Sequence, residues 1–352
     1  MGLKEYVIRR LITGTITLII TLIANWIIFR LPAFLTGIDP ATLYGMSRLM
    51  AGGGGGPGGE QTAERIIDLI IAFKIKWDLP SLAAPIGVWI DHLIKYLINM
   101  ITFNFGYSMG APAANQPVVK VLLARLPYSL FLLVPATLIA IIVGISIGVK
   151  IGSKPGSKLD VSMMVIAMML YALPIFWLQI IFQMIFGGWL RWWPASWGVH
   201  STYYTVEDPL LNFIDIMYML TLPILSLVIG GFGGWMILMR NSLVDVMTED
   251  YIITARAKGL DEKTVLYKHA FRNAILPVVT AVILALAGVW TGAIITERVF
   301  NIPGVGNLFL LAVVNDNYPL AEMLFYFVAL TVILANIIAD ISYAILDPRV
   351  KY

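Results

Sequence analysis

The sequence predicts an all-α integral membrane protein with six transmembrane helices, and three observations carry this prediction. Hydrophobic residues make up 59% of the 352 residues and charged residues only 13%, about half the charged share of a typical soluble domain. The mean hydropathy is +0.85. Apolar runs of about 20 residues, long enough to cross a hydrocarbon core of ~30 Å as a helix, recur along the chain. This composition excludes both a soluble globule and an intrinsically disordered chain.

Six apolar runs are the predicted spans. They lie near residues 11–31, 127–149, 161–186, 217–239, 276–295 and 321–346. The first run follows a basic start, as in a signal peptide, but it is about twice as long as the apolar region of such a peptide. It also continues into Arg30 and Pro32 without a small-residue cleavage pattern. We therefore predict that it is a retained helix.

The distribution of Lys and Arg predicts the orientation of the spans, because cytoplasmic loops are enriched in these residues. Most of them lie in the N-terminus, the 150–160 loop, the 240–275 loop and the C-terminal tail. The 187–215 loop has only Arg191, and the 296–320 loop only Arg298. With an even number of spans, this pattern places both termini in the cytoplasm. The expected location is the plasma or inner membrane, with several passes.

The spans and loops divide the chain into three parts. Residues 1–31 are predicted to form a cytoplasmic tip and the first span, and residues 32–120 a long external loop. Residues 121–352 form a core of five helices, which contains a cytoplasmic loop at 240–277. The external loop is unusually long for a connection between two spans, so we expect it to have structure of its own.

That external loop contains a glycine-rich linker at 52–59 and two amphipathic stretches at 64–74 and 88–101. The glycines satisfy G-x-G-x-x-G by composition, but no predicted strand precedes them, so they do not indicate a nucleotide site. Each amphipathic stretch predicts a short helix, either on the external face or against the helix bundle. The sequence leaves both placements open.

Four tryptophans follow the third span, namely Trp189, Trp192, Trp193 and Trp197. Tryptophan clustered at the end of a span is typical of the aromatic belt at the membrane–water boundary. Stacking of one of these rings on a substrate is the alternative interpretation.

Two of the spans carry small residues one helical turn apart, Gly144 with Gly148 and Gly230 with Gly234. Small residues at this spacing let two helix backbones approach closely. The pattern predicts close packing within the chain, and contact with another subunit is the alternative.

Residue types needed for several kinds of chemistry are missing. The chain has no cysteine and three histidines, which excludes disulfides, thiolate metal sites and cysteine nucleophiles. The phosphate-binding pattern G-x-x-x-x-G-K-[ST] and the hydrolase motifs G-x-S-x-G and H-E-x-x-H are absent. We therefore expect neither an enzyme nor a metal site, and the charge pattern does not indicate nucleic-acid binding.

Ionisable residues, the usual mark of ion-coupled transport, are scarce in the predicted spans. The sixth span has Asp340 near its cytoplasmic end. The other polar residues noted are amides: Asn25 in the first span, Gln179 and Gln183 in the third, and Asn336 in the sixth. We expect no carboxylate in the middle of a span, which disfavours an ion-driven carrier, although Na⁺ can be bound by carbonyls and amides alone. If the protein moves a solute uphill, the energy must come from another polypeptide.

The loop from Arg240 to Pro277 differs from the other loops because it is amphipathic and mixes basic and acidic residues. Residues 243–258 are predicted to be helical, and Gly259 then lies where a helix end needs a left-handed residue. Asp261 can cap a second helix that ends before Pro277. We predict a helix–Gly–helix elbow with the apolar Leu260 at its tip. Such an elbow suits insertion into the groove of a partner protein.

Several motifs in this chain resemble those of ABC importer permeases of the dipeptide/oligopeptide family. The elbow sequence Thr254–Leu260 (TARAKGL) with Lys268–Pro277 (KHAFRNAILP) resembles the "EAA" loop of these permeases. The resemblance covers nearly the whole chain. Further matching segments are Arg9–Leu11, Asn104–Ser108, Arg125–Pro127, Pro174–Trp177, Glu297–Gly306, Asp316 with Tyr318–Pro319, Asp340–Tyr343 and Asp347–Arg349.

This resemblance implies a type I importer fold and a non-catalytic membrane subunit. The subunit would pair with a second, similar permease, two cytoplasmic ATPase subunits and an extracytoplasmic solute-binding protein. ATP and Mg²⁺ would be bound by the ATPase partners, and this chain would carry no cofactor of its own. The elbow would be the coupling element that contacts an ATPase. The residues assigned to it are Thr254, Ala255, Arg256, Ala257, Lys258, Gly259, Leu260, His269, Arg272 and Asn273.

The resemblance also implies a solute path and an external contact surface. The expected substrate is a dipeptide or oligopeptide, or else an oligosaccharide or nickel. Candidates for the path are Gln179, Gln183 and Asn336, whose alternative role is hydrogen bonding between helices. Candidates for contact with the solute-binding protein are Trp193, Pro303 and Gly304. A stand-alone secondary carrier and a membrane scaffold without an ATPase are the competing hypotheses.

Overall fold

A computed structural model describes residues 3–36, 84–108, 113, 115–198, 209–315 and 317–346. The glycine-rich linker, the amphipathic stretch at 64–74, Asp316 and the Asp347–Arg349 segment lie outside these residues. The regular elements of the described part are helical, and one isolated antiparallel bridge joins Tyr107 to Pro117. This confirms the predicted all-α fold.

The described helices are as follows. They are α1 Leu3–Thr36, α2 Ile86–Ile101, α3 Val118–Gly152, α4 Lys158–Ala172, α5 Ile175–Phe182, α6 Pro209–Met247, α7 Asp250–Ala257, α8 Glu262–Thr264, α9 Phe271–Gly288, α10 Ile294–Val299, α11 Val305–Val314 and α12 Tyr318–Leu346. Two π-helical segments, Gln183–Trp189 and Val265–Ala270, extend α5 and α8 without a break, and a 3₁₀ turn Val289–Thr291 follows α9.

Five helices in the described part are long and apolar enough to cross a membrane. They are Glu5–Leu31, Val118–Gly152, Leu210–Met247, Glu262–Thr291 and Tyr318–Ser342. The pair Lys158–Ala172 and Ile175–Trp189 supplies a sixth span if its two halves are counted as one. Each predicted span therefore corresponds to a helix or to this pair.

The third predicted span, 161–186, is not continuous, because the chain bends by 96° between its two halves. Pro174 causes the break. It has no N–H to continue the helical hydrogen bonds, and its ring disfavours the helical conformation at the residue before it. Leu173 is accordingly extended, with φ −80° and ψ 130°. The prediction of one straight helix is wrong at this point.

The elbow region also differs from its prediction at two points. The helix expected over 243–258 is interrupted, since α6 ends at Met247 and Glu249 is extended with φ −71° and ψ 145°. The second elbow helix does not end before Pro277, because the chain stays helical from Glu262 to Thr291 with that proline inside. Proline is tolerated within membrane helices when neighbouring groups hydrogen-bond to the nearby backbone. Here the Ser242 hydroxyl donates to the carbonyl of Ala274, 2.6 Å away.

The chain divides into two compact units. The first comprises residues 1–11, 125–307 and 334–352, and the second residues 12–124 and 308–333. In the second unit, α2 buries one face against α1 and α12. Of the two placements left open for the amphipathic stretch at 88–101, the structure therefore shows the one against the helix bundle. The buried cluster there consists of Leu22, Trp26, Trp89, Tyr96, Met100 and Tyr326.

In the first unit, α3 and α6 approach closely at two of the predicted small residues. A Cβ atom added at Gly148 would lie 2.7 Å from the Met236 carbonyl oxygen, and one added at Gly144 would overlap the Trp235 side chain. Packing within the chain is thus confirmed for this pair. On α6, Gly230 faces the side chain of Ile175, whereas Gly234 has open space around it.

Candidate functional site

The elbow turns at Gly259, as the sequence predicts. Its φ is +77°, in the left-handed region that favours glycine. The N–H of Gly259 donates to the carbonyl of Arg256 (2.9 Å), and the N–H of Lys258 donates to that of Thr254 (3.1 Å). These bonds satisfy carbonyls at the end of α7. A residue with a Cβ atom would be strained at this turn.

The second arm of the elbow begins with a side-chain cap, also as predicted. Asp261 Oδ2 accepts a hydrogen bond from the backbone N–H of Thr264 at 3.0 Å. Hydrogen bonds from the side chain and then the backbone of Thr264 lower the pKa of the Asp261 carboxyl below its usual value. The ionised form is therefore the one that caps this helix.

Two side-chain contacts join the arms of the elbow. Arg256 meets Glu262 through two bonds, Nε to Oε1 at 2.9 Å and Nη2 to Oε2 at 3.3 Å. Asn273 Nδ2 donates to the hydroxyl of Tyr251 at 2.8 Å. Both contacts are exposed, so each contributes at most about 1 kcal/mol. Their geometric effect is to hold α7 at a fixed angle to the following helix.

Beneath the elbow lies a buried apolar cluster that joins it to α3 and α6. Its members are Val149, Met239, Leu243, Ile252, Ala255, Val265, Ala270, Ala274 and Val278. Of the ten residues assigned to the elbow, Ala255 is buried, His269 is half-buried and the others are exposed. Its exposed surface also carries Ile253, Leu260 and Tyr267. The elbow is thus a supported projection with an accessible apolar and basic surface.

An ion pair that sequence reasoning missed fixes α4 to α6. Arg240 Nη2 and Nε contact the two carboxylate oxygens of Asp160 at 2.7 and 3.0 Å. The backbone N–H of Gly156 donates to the same carboxylate at 2.9 Å. The basic turn between α3 and α4 is therefore tied to the end of α6. Because 80 positions separate Arg240 from Asp160, no local pattern indicates the contact.

The three candidates for the solute path lie in different environments. Gln179 is fully buried and its Nε2 donates to Thr296 Oγ1 at 2.7 Å. Gln183 Nε2 donates to the carbonyls of Ala195 and Val299 at 2.8 and 2.9 Å. Asn336 lies on another helix, α12, with an exposed side chain. The contacts of the two glutamines match the alternative role of hydrogen bonding between elements.

A fully buried carboxylate organises the loop that follows α10. Glu297 Oε1 accepts hydrogen bonds from the Ser129 hydroxyl (2.8 Å) and the Ala293 N–H (3.0 Å). Its Oε2 accepts from the N–H of Asn307 at 2.8 Å. The Ser129 oxygen in turn accepts from the N–H of Val305, also at 2.8 Å. The sequence offered Glu297 only as part of a family motif, and its role as the centre of a network was missed.

The candidate residues for external contact lie around this network. A Cβ atom at Gly304 would overlap the Glu297 carboxylate, so glycine is needed for the close approach. Gly304 is buried, whereas Pro303 and Trp193 are half-buried. Gly304 thus shapes the loop and is not itself accessible in this structure.

The structure also reveals a buried ion pair within the predicted spans. Arg30 on α1 and Glu322 on α12 are 2.5 Å apart, with 1% and 2% of their side-chain surfaces exposed. The Arg30 guanidinium also lies over the rings of Trp26 (5.1 Å) and Tyr96 (5.4 Å). The two residues lie near the ends of the first and sixth predicted spans, and sequence analysis considered only Asp340 in the sixth. The few charged residues in the predicted spans therefore include two that form a pair, which the sequence did not indicate.

Residues 140–352 match the family of binding-protein-dependent transport system inner membrane components. The chain belongs to this family. The matched region contains the elbow, Glu297 and α12. The family description and the apolar helices both indicate a multi-pass protein of the inner membrane. The resemblance noted in the sequence is thereby confirmed.

Individual members of the family show how far the similarity extends. The oligopeptide transport system permease protein AppB of Bacillus subtilis is 35% identical over 259 residues, 74% of this chain and 79% of AppB. The inner membrane ABC transporter permease protein YejB of Escherichia coli O157:H7 is 33% identical over 265 residues, 74% of this chain and 72% of YejB. A putative peptide transport system permease protein of Brucella abortus is 30% identical over 333 residues, 95% of each chain.

Proposed function

We propose that this chain is the permease subunit of an ATP-driven ABC importer that carries peptides across the inner membrane. The observation that carries the proposal is the elbow, a rigid projection built around a left-handed glycine and continuous with a membrane helix. Family membership supports the same conclusion. The chain is a non-catalytic subunit in this proposal.

The proposed assembly places the elbow against an ATPase. Basic residues concentrate on the same side as both termini, which is the cytoplasmic side by the charge rule. Each of two ATPase subunits would bind ATP and Mg²⁺, and each would contact the elbow of one permease. A second, similar permease completes the membrane part, and a solute-binding protein approaches the opposite face near Trp193 and Pro303.

The elbow transmits movement in this mechanism. Closure of the ATPases on ATP displaces the elbows, and the spans change between inward-facing and outward-facing states. The buried cluster beneath the elbow supports this role, because it joins the elbow to α3 and α6. Displacement of the elbow therefore moves these helices with it. The Arg256–Glu262 and Asn273–Tyr251 contacts keep the two arms from folding independently.

Peptides are the proposed solute because AppB and the Brucella protein are named for oligopeptide and peptide transport. An oligosaccharide is the second candidate. Of the three candidates, Asn336 with its exposed side chain is the proposed polar contact along the path, because the amides of Gln179 and Gln183 are bonded to other elements. Purification of the complex with its solute-binding protein, followed by mass spectrometry of the bound ligand, tests the solute. A sugar in place of a peptide would overturn this part alone.

The ATPase partnership has its own test. Affinity capture of the intact chain from membranes should recover an ATPase subunit, and a variant with Ala257→Glu in the elbow should recover much less. The Glu side chain places a charge at an exposed position of the proposed contact surface. Glu249→Gln, an exposed change just before α7, serves as the control. Capture without an ATPase from intact membranes would favour a stand-alone carrier or a scaffold.

A further inference from the structure

A cavity opens where the second half of the broken span ends. Its volume is about 620 Å³, and its lining includes Gly187, Gly188, Arg191, Trp193, Ala195 and Tyr218. All of these residues belong to the first unit. Gly188 leaves space beside the backbone, whereas a Cβ atom added at Gly187 would overlap Ala195. The rings of Trp193 and Tyr218 form part of the walls. The lining contains one charged side chain, that of Arg191.

Arg191 has two properties that are unusual for a surface arginine. It has no hydrogen-bond or ion-pair partner within the described ranges. Its backbone is left-handed, with φ +54°, a conformation that strains residues with a Cβ atom. The neighbouring backbone maintains it, since Leu190 N–H donates to the carbonyl of Ile185 and Trp192 N–H to that of Phe186, both at 2.8 Å. Among the described residues, the fold therefore holds a cation without a paired anion at the cavity.

The flanking residues indicate the depth of this cavity in the membrane. Trp189 and Trp192 expose 76% and 56% of their surfaces on either side of Arg191, and Leu190 between them is also exposed. Exposed tryptophan at the end of a membrane-crossing segment lies at the level of the lipid head groups. Lipid phosphates occupy the same level. Arg191 follows the last helical residue, Trp189, by two positions.

We propose that this cavity binds the head group of an anionic membrane phospholipid, with its phosphate on the Arg191 guanidinium. Arginine presents several N–H donors in a planar arrangement that matches phosphate oxygens. Trp193 and Tyr218 would border the glycerol region. The Tyr218 hydroxyl donates to the carbonyl of Trp192 at 3.2 Å, which fixes this wall. The site does not depend on the solute or on the ATPase partnership.

Binding of defined lipids to the full-length chain tests the site. The delipidated protein is titrated with phosphatidylglycerol or phosphatidylcholine in detergent, and bound lipid is counted by native mass spectrometry. We expect one phosphatidylglycerol to bind more tightly than phosphatidylcholine. Arg191→Gln should weaken that binding about fivefold, the effect expected of one basic residue near an anionic lipid surface. The matched control is Arg298→Gln, an exposed arginine on α10 in the same unit.

A second variant keeps the test valid if Arg191→Gln affects folding. Gly188→Leu fills the cavity and leaves Arg191 in place. An added Cβ atom there would lie 3.7 Å from the nearest atom, the Gln183 carbonyl oxygen, so the backbone tolerates it. It should also weaken phosphatidylglycerol binding. Undiminished binding by both variants would overturn the proposal. Displacement of the lipid by millimolar inorganic phosphate would overturn it as well, because the site would then be one for free phosphate.

Discussion

The Ser129 hydroxyl donates a 2.8 Å hydrogen bond to the Glu297 carboxylate across 168 positions of sequence. This bond joins α3 to α10 beside the loop that follows α10. The carboxylate is fully buried, and the donors that it receives are neutral: one hydroxyl and two backbone N–H groups. Loss of one acceptor oxygen from this carboxylate would leave a buried donor without its hydrogen bond, which lowers the stability of the protein.

Glu297→Gln should destabilise the protein by about 1–3 kcal/mol, because an amide NH₂ group would replace an acceptor that now faces N–H or O–H donors. The thermal midpoint in detergent should fall accordingly. Glu249→Gln makes the same chemical change at an exposed position, and its effect should stay within about 0.5 kcal/mol. Equal midpoints for the two variants would contradict the proposed importance of the network.

Gly259→Pro should abolish solute-stimulated ATP hydrolysis in a reconstituted complex. Proline fixes φ near −65°, whereas Gly259 has φ +77°, so the turn cannot form. Gly259→Ala should reduce coupling less severely, since alanine in the left-handed region costs about 1–2 kcal/mol.

The matched control for these elbow variants is Gly156→Ala. Gly156 has φ +78° and open space around it, but it lies in the turn between α3 and α4. The alanine should introduce similar strain and leave ATP hydrolysis intact. If Gly259→Pro hydrolysed ATP like the unmodified complex, the coupling role of the elbow would be wrong.

The Asp261 cap should respond to acid. Its folded-state pKa is lowered by the hydrogen bonds from Thr264, so its stabilising effect is present above the unfolded value of about 3.9 and lost as pH falls through the folded value. Hydrogen exchange at the Thr264 amide, corrected for its intrinsic pH dependence, should accelerate below about pH 4. Asp261→Asn should remove this acid step. An identical pH profile in the variant would show that another group titrates.

Removal of one partner from the buried Arg30–Glu322 pair should destabilise the protein by about 3–5 kcal/mol, the cost expected for breaking a buried ion pair. Glu322→Gln and Arg30→Met should each lower the thermal midpoint, and the double variant Arg30→Met with Glu322→Leu should restore much of it.

The same two helices offer a half-buried pair for comparison. Arg10 and Asp340 are 3.0 Å apart, with 41% and 33% of their side-chain surfaces exposed. Asp340→Asn should cost less than about 1 kcal/mol. Comparable losses at both pairs would argue against the importance of burial at Arg30.

Features that depend on neighbouring residues were predictable from the sequence. The apolar runs identified the spans, and Gly259 and Asp261 marked the turn and cap of the elbow because both act within a few residues of themselves. The effect of each proline was harder to predict from the sequence, since it depends on the residues packed around it. Pro174 breaks its span, whereas Pro277 lies within a continuous helix.

Contacts across long separations were not predictable. Arg30 and Glu322 are 292 positions apart, and each lies near the end of an apolar run, so neither residue indicated its partner. Glu297 likewise carried no local signal of its partner Ser129. The glutamines Gln179 and Gln183 could be singled out as polar residues in a span, but their partners could not be inferred. Two of these partners lie more than 100 positions away on α10, and the third is the carbonyl of Ala195 in the segment after the π-helical turn.

The unbroken helix from Glu262 to Thr291 has a mechanical consequence. Its 30 residues make a rod of about 45 Å. The elbow lies at one end, and Gly292, in the turn that leads into α10, lies just beyond the other. In the proposed mechanism, displacement of the elbow at Gly259 would therefore tilt this helix and displace the start of α10 with it. The elbow and the segment that carries Glu297 would then move together.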